Sequence, residues 1–93
     1  MPGLNYDAVP QHQAEIVTRE IDDEIYICSA DGETMFTITT VGADIWRACD
    51  GSHSVSEIVE ILIAAYEVDR ETVERDLEAY LTDLETKQLI VFI

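Results

Sequence analysis

Carboxylates are the most abundant reactive groups in this chain, twenty among 93 residues. Glu74 with Glu78, and Glu67 with Glu71, stand four residues apart, which on a helix places each pair on one face. Exposed like charges at that spacing repel mildly and stay solvated. General acid–base work needs a partly buried group with a displaced pKa, so neither pair reads as catalytic. His12 and His53 have no second histidine or cysteine at metal-ligand spacing. Asp50-Gly51-Ser52-His53 holds a serine beside a histidine, but as neighbours in a turn. A nucleophile, a base and an orienting acid must instead converge in space. Cys28 lies in an apolar run and Cys49 in a helical pattern, and both read as buried free thiols. Glycines 3, 32, 42 and 51 fit no phosphate-cradling loop. The expectation is a binding domain rather than an enzyme, with no metal and no cofactor.

The totals point the same way. A chain of 93 residues is one domain with a modest core. Apolar residues make up 47%, too many for a disordered tail. The net charge of −15 is spread evenly along the chain, a charged surface and not an acidic tail. Nucleic acid and anionic membranes both call for clustered Lys and Arg, whereas Arg19, Arg47, Arg70, Arg75 and Lys87 are scattered among carboxylates. The longest apolar stretch, 61–66, is far too short to span a bilayer. No basic start followed by an apolar run marks a signal peptide, and a cytoplasmic location is the default.

The elements that must position any binding surface follow from periodicity. Residues 1–13 carry Pro2, Gly3 and Pro10 and read as an irregular lead-in; 14–93 form the domain. Strands are predicted at 14–20, 24–28 and 34–39, with turns at Asp22-Asp23 and at Asp31-Gly32. In the third strand Phe36 and Ile38 share one side, and Met35, Thr37 and Thr39 the other. The period then becomes helical through Val41, Ile45, Trp46 and Cys49, with Thr39 or Thr40 as cap and Gly51 as stop. Ser54 and Glu57 form a capping box for a second helix, and Asp69 caps a third bearing Val73, Leu77, Tyr80, Leu81 and Leu84. Residues 89–93 favour a final strand. The fold expected is α+β: a three-stranded antiparallel meander followed by three helices, like a winged helix-turn-helix.

Trp46 falls on an apolar helix face, where core packing is the stronger reading; Tyr66 and Tyr80 also fall on apolar stripes, with hydroxyls expected to reach the surface. Tyr80 lies at the edge of its stripe, where a groove wall could stand. The third strand has neither proline nor charge, and a meander leaves its first and third strands as edges. Its open side is a template for an added partner strand, unless the final strand or a homodimer partner covers it.

The stretch from Val41 to Leu89 resembles the PqqD family. The likeness runs through Val41-Gly42-Ala43-Asp44-Ile45-Trp46, Asp50-Gly51 and Val55-Ser56-Glu57-Ile58-Val59. It continues in Tyr66-Glu67-Val68-Asp69, Val73-Glu74-Arg75-Asp76-Leu77, Tyr80-Leu81-Thr82-Asp83-Leu84 and Leu89-Ile90. Upstream, Ile21 to Ile27 is similar to the family's first hairpin, so the resemblance spans about residues 15 to 91. Two departures stand out: Ile38-Thr39 where the family has Leu-Asn, and Lys87-Gln88 where it has a glycine. The resemblance implies a peptide-recognition element for ribosomally made, post-translationally modified peptides. Such a domain binds the leader of a precursor peptide and presents it to a modifying enzyme, often a radical S-adenosylmethionine enzyme. It implies a site on Met35, Phe36, Thr37 and Ile38 of the strand and on Val73, Asp76, Leu77 and Tyr80 of the third helix. The quinone pathway and related peptide pathways both stay open.

Two other functions fit the same fold class. A winged-helix DNA-binding regulator is opposed by the charge, since residues 69–87 hold seven acidic and three basic side chains. An adaptor that binds only a partner protein is not separated from the peptide binder by sequence.

Overall fold

The computed structural model describes residues 5–93. The element order is β1 (Pro10–His12), β2 (Val17–Ile21), β3 (Glu24–Cys28), β4 (Met35–Ile38), α1 (Thr40–Ala48), α2 (Val55–Tyr66), α3 (Arg70–Thr86) and β5 (Ile90–Phe92). The expected meander is present as a sheet of order β2-β3-β4, antiparallel throughout, and the three helices follow it. Asp22 and Asp23 take φ values of 50° and 70°, the left-handed pair that closes a tight hairpin between β2 and β3. Gly32, at φ 76°, supplies the corresponding bend before β4.

Ile25, Ile27 and Ile38 turn inward from the sheet onto Ile45 and Trp46 of α1, Ile58, Val59 and Leu62 of α2, and Leu77, Leu81 and Leu84 of α3. Most of the expected stripe residues are therefore core and Trp46 is buried as predicted, while Val41 and Tyr66 stay exposed and Tyr80 half-buried. The capping box forms at Ser54, which accepts from the Glu57 amide while Glu57 accepts from the Ser54 amide. Asp69 caps α3 by accepting from the Thr72 amide.

The lead-in differs from expectation. Its first four residues, with Pro2 and Gly3, lie outside the described ones. Residues 10–12, read as irregular, form β1 and pair with β5 in a separate two-stranded sheet. The amides of Val55 and Ser56, orphaned at the start of α2, donate to the Ala8 and Tyr6 carbonyls. The His12 ring stacks on Trp46 at 3.8 Å, and its Nε2 lies 2.7 Å from the Trp46 carbonyl. Composition marked this segment as loop, but unpaired backbone groups elsewhere in the fold recruit it. The final strand does form, yet it pairs with β1 and leaves the meander's edges uncovered.

At α1 the cap is also different. Thr39 occupies the N-cap, but its hydroxyl makes no capping bond. The Thr40 hydroxyl donates to the Thr39 carbonyl instead, and Thr40 takes a φ of 53°. A left-handed residue here turns the chain sharply from β4 into α1, which pulls the hydroxyls away from the helix amides.

Candidate peptide groove

β4 is the outer strand of its sheet, with β3 on one side only. The Ser29 amide donates to the Thr34 carbonyl at 2.8 Å, and this fixes the phase of the ladder. Bonded pairs alternate along an antiparallel hairpin, and the register sets Phe36 against Ile27 and Ile38 against Ile25. Phe36 and Ile38 are thus bonded into β3, while Met35 and Thr37 turn their N–H and C=O groups to the open side. The side chains divide in the complementary way. Ile38 is buried and Phe36 half-buried on the helix side; Met35 and Thr37 are exposed on the other.

Two contacts place α3 beside β4 and its end, and a third places it beside α1. The Lys87 ammonium, just past the end of α3, lies 5.4 Å from the centre of the Phe36 ring. In the middle, a Cβ built on Gly42 would meet the Tyr80 hydroxyl at 2.5 Å and Ile38 Cγ2 at 3.1 Å, so Tyr80 crosses from α3 to the β4–α1 junction. Only glycine lets the helix pass this close. Further on, Val73, Asp76 and Leu77 line a cleft of about 260 Å³ together with Val41, Ile45, Leu62, Tyr66, Val68 and Thr72. The chain from β4 into α1 therefore runs opposite to α3, past Lys87, then Tyr80, then Val73. Fourteen helical residues rise about 21 Å, the length of about six residues of extended chain.

The eight predicted site residues thus fall into distinct roles. Met35 and Thr37 offer main-chain groups. Phe36, Ile38 and Tyr80 form the wall beneath them. Val73 and Leu77 are core residues whose edges floor the cleft, and Asp76 stands exposed at its rim. Met35 and Thr37 are apart from the rest by side chain, since both project from the opposite face of the sheet. Sequence reasoning missed Gly42, Val41, Tyr66, Val68 and Lys87. Val41, Tyr66 and Val68 are each about 40% exposed, apolar side chains at helix ends that the core leaves partly bare.

Charge around the groove is acidic and mostly neutralised locally. Lys87 pairs with Asp83 at 2.8 Å. The Tyr66 hydroxyl donates to Asp44, which also pairs with Arg47; this bond pushes the Tyr66 pKa up. Burial, and then the nearby Asp83 carboxylate, raise the pKa of Tyr80. Its phenol thus stays neutral across the physiological range and can donate.

Elsewhere the chemistry is restrained. Burial, with Asp50 adding to it, pushes the Cys49 thiol up to about 12, far from a reactive thiolate. In the 50–53 turn the Ser52 hydroxyl donates to Asp50 at 2.7 Å, and His53 Nδ1 lies 3.0 Å from the same oxygen. The serine hydroxyl bonds the carboxylate and stands farther, at 3.3 Å, from His53 Nδ1, unlike a hydrolase relay in which the histidine takes the serine proton. Bonds from Ser52, then His53, hold Asp50 down at about 2. Among the described residues no group of three or more His, Cys, Asp or Glu is placed to hold a metal ion. No described helix is long and apolar enough to cross a membrane. On α3, Arg70 pairs with Glu60 and Glu74, and Arg75 with Asp76, so each of its arginines has a carboxylate beside it, unlike the clustered cations that a phosphate backbone calls for.

An open strand edge beside a helix, with an apolar cleft at one end, defines a class of small α+β domain. Within that class the chain belongs to the PqqD family: the family model for coenzyme PQQ synthesis protein D matches residues 24–90. Among solved structures, TbiB1 in complex with the TbiA(beta) leader peptide is 36% identical, with a TM-score of 0.80 over 86% of this chain and 93% of that one. A lasso peptide synthetase B1 complexed with its leader peptide shares the fold at 23% identity, with a TM-score of 0.81 over 90% and 99% of the two chains. A search of curated proteins gives no match.

Proposed function

We propose that this domain binds the leader segment of a ribosomally made precursor peptide, as an added strand on β4 with α3 alongside, and presents it to a modifying enzyme. The observation that carries this reading is the open side of β4. The outward N–H and C=O groups of Met35 and Thr37 run beside a half-buried wall of Phe36, Ile38 and Tyr80. Main-chain bonds supply sequence-tolerant affinity, and alternate peptide side chains entering the groove supply specificity. The solved relative at 36% identity, a complex with a leader peptide, supports the same class of ligand. No step of bond-making is assigned to this chain; its part is to hold and orient.

Ordering a disordered leader costs free energy, so the expected affinity is micromolar, about −8 kcal/mol. The test is a titration of the isotope-labelled domain with a precursor-peptide leader, followed by amide chemical shifts. Shifts should concentrate at residues 35–39 and on the Tyr80 face of α3. A peptide that binds while leaving β4 unshifted would refute strand addition.

A further inference from the structure

The three-stranded sheet has a second face, away from the helices. The register sets Val17 against Cys28, Arg19 against Tyr26, and Cys28 against Met35, so these side chains project opposite the buried Ile25 and Ile27. Val17 is 59% exposed, Ile21 55% and Met35 69%, around a shallow depression of about 300 Å³. A contiguous apolar face of this kind marks an interaction surface.

Arg19 stands in the middle of it. Arg47 pairs with Glu20 and Asp44, Arg70 with Glu60, Arg75 with Asp76 and Lys87 with Asp83. Among the described residues Arg19 pairs with no carboxylate, although the chain carries a net charge of −15. An unpaired guanidinium ringed by apolar side chains is complementary to an apolar surface that brings its own carboxylate. A second copy fits poorly. Each copy carries −15, and pairing β2 symmetrically through its central residue would set Arg19 against Arg19.

We propose that this outer sheet face docks the enzyme that modifies the bound peptide, through an apolar patch whose Asp or Glu meets Arg19. The proposal rests on the strand-addition reading above. A peptide added to β4 continues the sheet, and its alternate side chains project on the same face as Met35 and Thr37. Whatever covers this face touches the domain and the peptide together. Peptide and enzyme must then tighten each other's binding by the same factor.

The probes are a leader peptide that the domain binds and the enzyme that modifies that peptide. Enzyme affinity for the domain should rise about fivefold or more when the peptide is saturating. Arg19→Glu, and separately Val17→Ser with Ile21→Ser, should weaken the enzyme complex about tenfold or more. Peptide affinity measured without the enzyme should stay within about twofold, which also certifies the fold of each variant. Enzyme affinity unchanged in both variants, or no enzyme binding to the wild-type domain with peptide bound, would overturn the proposal. Failure of the wild-type domain to bind peptide alone is a separate result and would refute the strand-addition reading.

Discussion

Thr37→Pro is the sharpest test of the groove, because the ladder phase separates binding from folding at this position. The Thr37 amide points to the open side of β4, so proline there removes no bond to β3. Proline is tolerated on an edge strand when its missing N–H would have faced solvent. An incoming peptide strand, however, would exchange both main-chain bonds with Thr37. Losing the donor leaves a peptide carbonyl unpaired in the new ladder, at about 1–3 kcal/mol, and the ring blocks close approach as well. The leader peptide should therefore bind about five- to 150-fold more weakly. Fluorescence anisotropy with a labelled leader reads the loss. Urea unfolding should show a midpoint close to wild type. Phe36→Pro, one residue earlier, removes a bond to β3 and should destabilise the fold itself, by about 1–3 kcal/mol. Thr37→Pro that stays folded and binds peptide at wild-type affinity would refute strand addition on β4.

Gly42→Ala should destabilise by about 1–3 kcal/mol through overpacking, since its Cβ would lie 2.5 Å from the Tyr80 hydroxyl. Adding Tyr80→Phe should recover part of that loss, a coupling that urea unfolding of the double-mutant cycle would measure. Gln88 takes a φ of 61°, so Gln88→Gly should raise stability by about 1 kcal/mol, read as a higher urea midpoint. The folded-state pKa of Asp50 is depressed from 3.8 to about 2, so its contribution is present above the unfolded pKa and lost as pH falls through the folded one. The gap in denaturation midpoint between wild type and Asp50→Asn should hold at neutral pH and narrow between about pH 4 and pH 2.

Much of the fold was legible because its signals are local. Ser54 and Glu57 announce a helix start within four residues, and Ile25, Ile27, Phe36 and Ile38 announce two strand faces by simple alternation. What escaped depends on distant partners. β1 exists because β5 and the start of α2 leave backbone groups to satisfy, and nothing in Pro10-Gln11-His12 says so. Gln88 was legible as a departure from the family's glycine; its left-handed backbone shows that the turn is kept without the residue that best suits it. For the groove, alternation foretold which β4 side chains face the helices. It did not foretell that Gly42 admits Tyr80, because a glycine in a helix names no partner. The cleft at Val41, Tyr66 and Val68 was hidden for a similar reason: Val41 and Tyr66 read as stripe residues at helix ends, Val68 lies in the α2–α3 connection, and no pattern says that the core leaves them partly bare.

The pairing of β1 with β5 has one more consequence. Pro10 stands opposite Phe92 and His12 opposite Ile90, so the first and last strands of the described fold lie side by side. Cα atoms of facing residues in such a ladder are only about 5 Å apart. A short linker could close the chain into a ring, and new ends could be opened at the Asp22-Asp23 turn with β4 intact. The same closeness would let the domain be spliced into a surface loop of another protein, entering and leaving at one point. Peptide recognition would then travel as a cassette, carried into a host enzyme without stretching either chain.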